Sequence, residues 1–258
     1  MERKKKNKLV KASTVTKSTL RTVSPLQAFV LHLICGLGLA SAFWVARNVY
    51  SVNLIGNPAQ TLRLIWVIEA PIVILLYSVF RQNPSQCSYV KAVARGFLAL
   101  PFGQYSSCPL YTHLDRHLAW FLLSELVGAI ANALGAIVLG APVGIKYFPG
   151  TLNWSLLMSA LTFVPAASVF GSSWTEWHRI FAQTKPIEYI DYMICLPAHG
   201  AVIGSWFGAW PMPLDWERPW QEWPVSVTYG SIAGYLVGMV ASFGILLFHG
   251  VRQRVKGD

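Results

Sequence analysis

The apolar residues of this chain are gathered into long runs rather than into stripes or alternations. Six runs span Pro25–Ala46, Leu62–Phe80, Leu118–Ala141, Thr151–Ser173, Ile190–Ala209 and Val225–Gly250. A helix needs roughly 17–25 such residues to cross a bilayer, and each run supplies them. A helix that is apolar on every side keeps no face for water, so these runs predict helices surrounded by lipid or by one another. The longest polar stretch between runs, residues 81–117, contains Pro84, Pro101 and Pro109. It predicts irregular structure with one short amphipathic helix around Tyr89–Leu100. No stretch between the runs has room for a folded domain, which takes about 50 residues or more. The pattern predicts an all-α membrane protein. A bundle of about six transmembrane helices fills residues 25–250, with polar tails at 1–24 and 251–258.

Composition agrees, with 54% hydrophobic and 12% charged residues and a mean hydropathy of +0.44. A soluble domain carries about twice that charged fraction. A net charge of +10 would point to nucleic acid if the basic residues were clustered on one surface. They cluster at the termini and in alternate loops instead. With the amino terminus in the cytosol, seventeen Lys and Arg fall on the cytosolic side and four, Arg47, Arg63, Lys146 and Arg218, on the other. This bias places both termini in the cytosol and the segment after the fifth run in the lumen. The basic stretch Arg3–Lys8 then reads as a solvated cytosolic tail near anionic lipid, not as a nuclear address. Ala40-Ser41-Ala42 looks like a peptidase site, but the long basic region before it and the apolar run continuing past it predict an uncleaved anchor. Cys35 and Cys195 lie in apolar runs, and Cys87 and Cys108 share one cytosolic loop, so no disulfide framework is expected.

Ionisable residues inside membrane helices are costly and invite a functional reading. Here they are His32, Glu69, Glu125, Asp191 and His199. His32 and Glu125 both lie about 10 Å inside the cytosolic boundary and are placed to pair. Asp191 opens the fifth run, where a helix amino terminus favours a carboxylate. A proton relay or headgroup site is one reading of the set; hydrogen bonding that fixes helix packing is the blander one. His113 and His117 stand four apart and with His178 supply three imidazoles, but they lack the glutamate of a zincin helix, so no metal site is expected. Pro71 and Pro165 predict kinks.

Two features of the last third are more specific. The fifth run carries Gly200, Gly204 and Gly208, and the sixth carries Gly230, Gly234 and Gly238. Small residues at this spacing let helix backbones approach closely in lipid, which predicts a tight hairpin. The hairpin loop, Trp210–Pro224, holds four Trp, four Pro and four charged residues among its fifteen. An aromatic belt at the membrane boundary accounts for tryptophan alone. The prolines restrict the loop's shape, and Trp and Arg dominate binding hot spots. That combination reads as a surface for recognising a protein or a lipid-linked sugar.

The segment Gly204–Pro224, with its core Pro213-Leu-Asp-Trp-Glu-Arg-Pro-Trp220, closely resembles the phosphatidylinositol-glycan biosynthesis class F family. Thr228–Tyr235 extends the likeness, and Leu139–Pro142, Leu161–Pro165 and Trp174–Phe181 are more weakly similar. The resemblance implies a multispanning protein of the endoplasmic reticulum membrane. It implies an accessory subunit that binds and stabilises the enzymes adding ethanolamine phosphate to glycosylphosphatidylinositol (GPI) mannoses, of the O type and the G type. It implies no catalytic residue and no cofactor. By motif match, Asp215, Trp216, Glu217, Arg218, Pro219 and Trp220 become candidate partner-binding residues, with Trp223 beside them. The residues themselves point the same way. The predicted lumenal side offers three short loops, no His and one Asp, Asp215, from which a two-metal transferase site cannot be assembled. The competing readings are an integral headgroup enzyme using Glu69 or Asp215 as a base, and a small transporter with a polar path through His32, Glu125, Glu69 and His199.

Overall fold

The computed structural model describes residues 23–82, 87–98 and 134–255, with side chains as far as Phe248. The described residues form helices joined by loops: α1 (Pro25–Asn48), α2 (Pro58–Ser78), α3 (Tyr89–Leu98), α4 (Phe148–Phe170), α5 (Trp174–Trp177), α6 (Tyr189–Ala209) and α7 (Val225–Val255). A π-helical turn, His178–Ala182, continues α5, and residues 134–138 are also helical. Helices α1, α2, α4 and α7 are long and apolar enough to cross a membrane. Helix α6 has a comparable length, 21 residues, but carries Asp191 and His199 and is not in that set. Most of the run Leu118–Ala141 lies outside the described residues, as do Glu125, Cys108, His113, His117 and the basic tail through residue 22.

Local chemistry sets the helix ends. Helix α1 starts with a capping box, in which Gln27 N donates to Ser24 Oγ and Ser24 N donates to Gln27 Oε1. Two amide donors that a helix start leaves unpaired are thereby satisfied. Helix α2 begins at Pro58, four residues before the apolar run. Proline suits a first turn, where the amide it lacks has no partner to lose. Helix α4 likewise starts early, at Phe148 with Pro149 behind it, and stops at Gly171, whose φ of +61° few other residues adopt. Helices α2, α4 and α6 run without interruption through Pro71, Pro165 and Pro197.

Helix α4 is the centre of the bundle. It packs on α2, α6 and α3, and 89% of its apolar window is buried. Its Asn153 side chain bonds inside the bundle: Trp66 Nε1 donates to Asn153 Oδ1 (2.9 Å), and Asn153 Nδ2 donates to the Pro149 carbonyl (2.7 Å). The amphipathic helix expected near Tyr89–Leu100 is α3, held against α2 and α4. The Tyr89 hydroxyl donates to the Leu75 carbonyl (3.2 Å). An added methyl at Gly96 would sit 2.5 Å from Ser168 Oγ and 2.8 Å from Ile74 Cγ2.

Candidate functional site

The site is built on α6 and α7, the most extensively packed pair in the bundle. Their glycines face each other in antiparallel register. A side chain added at Gly200 would run into the Gly234 carbonyl oxygen, at Gly204 into that of Gly230, and at Gly208 into that of Ser226. From the other side, Gly230 meets Gly204 O, Gly234 meets Gly200 O, and Gly238 meets Leu196 O. All six glycines of the two ladders therefore lie in one seam where main chain touches main chain. Between them the buried hydroxyls of Ser205 and Ser231 share a hydrogen bond of 2.7 Å. An interhelical bond of this kind adds to close packing in lipid, where hydrophobic burial does not drive helix pairing.

The loop that closes this hairpin is a chain of tight turns. Met212 N donates to Ala209 O, Leu214 N to Pro211 O and Trp216 N to Leu214 O. A 3₁₀ turn, Pro219–Gln221, then leads to a cis peptide between Trp223 and Pro224. Gln221 ties the turns together. It is 6% exposed. Its Nε2 donates to the carbonyls of Pro211 (2.7 Å) and Leu214 (3.0 Å), and its Oε1 accepts from Arg218 N (2.9 Å). One side-chain amide thus crosslinks both limbs of the loop. Nothing in local spacing marks Gln221 as a crosslink, because the two carbonyls it holds lie seven and ten residues away.

Asp215, Trp216, Glu217, Arg218, Pro219 and Trp220 are all exposed on this loop. The rings of Trp216 and Trp220 lie 6.0 Å apart. Glu217 has a φ of 49°, in the left-handed region that costs a residue with a Cβ about 1 kcal/mol. Trp223 stands apart from the residues grouped with it. It is 7% exposed, its ring lies 5.2 Å from that of Trp154, and its Nε1 donates to Thr151 Oγ1 at 3.0 Å. This geometry makes it the anchor that fastens the loop to α4. At the base of the loop Trp206, Phe207 and Trp210 form an exposed aromatic cluster, as expected of side chains at a membrane boundary.

A family model described as "GPI biosynthesis protein family Pig-F" matches residues 38–243. The chain belongs to the Pig-F family. The human and mouse proteins named "GPI ethanolamine phosphate transferase, stabilizing subunit" are each 35% identical to it over 106 residues, 41% of this chain and 48% of theirs. A Yarrowia lipolytica protein named "Glycosylphosphatidylinositol anchor biosynthesis protein 11" is 30% identical over 162 residues, 62% of this chain and 70% of its own length. The chain spans about half the length of the human and mouse relatives. No solved structure matches.

The Pig-F region includes both glycine ladders and the whole loop. It also holds most of the ionisable residues that the sequence singled out; Asp191 and His199 are bonded within the bundle, whereas neither carboxylate oxygen of Glu69 has a hydrogen-bond partner among the described residues. Glu69 is 0% exposed and lies against Gly38 of α1. His199 Nδ1 donates to the Cys195 carbonyl one turn back (2.7 Å), and its ring stacks on Phe181. His32 is buried on α1; Glu125, its expected companion, lies outside the described residues. Asp191 caps α6. Its Oδ2 accepts from Ile187 N, Glu188 N and Arg179 Nη1, the last at 2.6 Å. Arg179 also pairs with Glu176. Glu188, next to this network, is held above the usual carboxylate range, first by partial burial and then by the Asp191 charge, with Arg179 opposing. His178 Nδ1, next to Arg179 in the chain, lies 3.2 Å from Gln183 Nε2.

Proposed function

We propose that this chain is a non-catalytic accessory subunit of GPI ethanolamine phosphate transferases. It holds the catalytic subunits, of the O type acting on the third mannose and the G type acting on the second, in the endoplasmic reticulum membrane. The observation that carries this reading is the crosslinked loop. It presents Trp216, Arg218 and Trp220 to solvent on a backbone fixed by Gln221 and Trp223. An exposed arginine and two exposed tryptophans on a rigid scaffold lose little freedom on binding, which is the composition and economy of an interface hot spot. The names of the human and mouse relatives support the same role, and the left-handed Glu217 fits a backbone shaped for binding rather than for stability.

The test is a pull-down of the tagged chain from membranes, with transferase abundance measured in the presence and absence of the chain. The expected result is co-purification, together with loss of both transferase types when the chain is removed. Transferases that persist undiminished without the chain defeat the proposal. Arg218→Ala is expected to leave the chain inserted and folded while weakening retention of the partner by roughly tenfold or more, as for a hot-spot arginine. Wild-type retention would return the loop to an aromatic-belt role. Gln221→Ala removes no exposed side chain but strands two carbonyls, at a cost of about 1–2 kcal/mol. Retention should fall with it, because the exposed residues lose their fixed arrangement. If retention is unchanged while the melting temperature drops, the rigidity argument is wrong.

A further inference from the structure

A cavity of about 320 Å³ opens at the foot of the loop. Asn57 and Gln60 line it from the start of α2, Lys146 and Tyr147 from the start of α4, and Trp223 and Pro224 from the start of α7. None of the described residues lining it is acidic. Lys146 Nζ lies 5.6 Å over the Tyr147 ring, so the aromatic face holds the ammonium at the cavity wall. Among the described residues no carboxylate forms an ion pair with Lys146. The cavity therefore carries a positive charge that no described carboxylate pairs with.

The main chain adds to that charge. Helices α2 and α4, of 21 and 23 residues, both begin at this cavity. Neither Asn57 nor Tyr147 caps its helix with a side chain. Thr61 N donates to Asn57 O, and Phe148 N and Thr151 N donate to Gly144 O and Tyr147 O. The amides of Ala59, Gln60 and Gly150 donate to no protein acceptor among the described residues. Two helix starts and a lysine thus converge on one space with donors to spare, an arrangement that favours a phosphate oxygen. Depth narrows the source. The cavity sits where two membrane-length apolar helices begin, which is the level of lipid headgroups.

We propose that this pocket binds the phosphate ester of a membrane lipid, with Lys146 and the free amides of α2 and α4 as donors. The ligand's acyl chains would run down the apolar flank of the bundle, and Trp223 would form one wall of the site. The pocket is separate from the exposed face of the loop, so a lipid and a protein partner can be held together.

The test uses the purified full chain in an uncharged detergent, with lipid binding read by native mass spectrometry. The probes are phosphatidic acid, diacylglycerol, which lacks only the phosphate, and inorganic phosphate as a competitor. Phosphatidic acid is expected to bind and diacylglycerol not. Lys146→Glu should weaken phosphatidic acid binding by roughly tenfold or more, as for loss of a charge-assisted bond. Gln60→Trp, which fills the cavity without changing charge, should weaken it comparably. Lys185→Glu, an equal charge change at the opposite end of the bundle, should leave binding intact. Both pocket residues concerned are exposed, and size-exclusion profiles are expected to match the wild type. Undiminished binding in either pocket variant would overturn the site. So would equal losses in Lys146→Glu and Lys185→Glu, which would mark diffuse attraction to a basic protein. Inorganic phosphate that displaces phosphatidic acid at equal concentration would overturn the lipid assignment.

Discussion

Leucine in place of Gly204 or Gly234 is expected to force α6 and α7 apart and to abolish the folded protein in detergent. An added Cβ at Gly204 meets the carbonyl oxygen of Gly230 and lies 3.0 Å from both its carbonyl carbon and the Gly234 Cα. At Gly234 it meets the carbonyl oxygen of Gly200, with its carbonyl carbon 2.8 Å away. These are main-chain atoms and have no rotamer to retreat into. Overpacking a core ordinarily costs about 1–3 kcal/mol. A collision with two helix backbones belongs above that range, because a whole helix must translate and the Ser205–Ser231 bond breaks with it. Gly244→Leu is the matched control on α7, since nothing lies within 4 Å of a Cβ there. Melting temperature and monodispersity in detergent are the readouts. If the Gly204 and Gly234 variants melt with Gly244→Leu, the seam does not hold the hairpin.

Arg179→Ala is expected to be the most damaging change outside the seam. Asp191 is 1% exposed, and Arg179 is the cation that meets it. Removing one partner of a buried pair costs about 3–5 kcal/mol; the Ile187 and Glu188 amides stay on Asp191 and place this change at the lower end of that range. Arg179→Lys should rescue little. The guanidinium reaches Glu176, Asp191 and the Lys185 carbonyl at once, through a planar fork that an ammonium does not reproduce. The double change Arg179→Ala with Asp191→Asn should be milder than the sum of the two single changes, because the stranded carboxylate is gone. Additive losses in thermal unfolding would show that the pair is not coupled.

These two cases also mark what the sequence discloses. The seam was legible because four-residue spacing places small side chains on one helix face, and two such ladders joined by a short loop have only each other to meet. Asp191 was legible as a helix-start carboxylate. Its partner was not, because Arg179 lies twelve positions away across a π-helical turn that no spacing rule describes. Depth along a run was readable for Glu69, but not its neighbour Gly38, since the rotation of one helix against another is set by packing. The loop shows the same division. Its composition announced rigidity and recognition, yet which tryptophan points inward depends on Thr151 and Trp154 of α4, far away in the chain. Gln221 looked like filler between charged residues and proved to be the crosslink.

The burial of α4 has a consequence for biosynthesis. A chain enters the membrane from its amino terminus, so α4 is inserted before α6 and α7 have been made. During that interval Thr151, Trp154 and Met158, which meet Trp223 and Ser205 in the finished protein, have lipid where the later hairpin will stand. The nascent protein is therefore most exposed to quality control between the arrival of α4 and the closing of the hairpin. Lesions that delay that closure will be read by the cell as missing protein rather than as inactive protein.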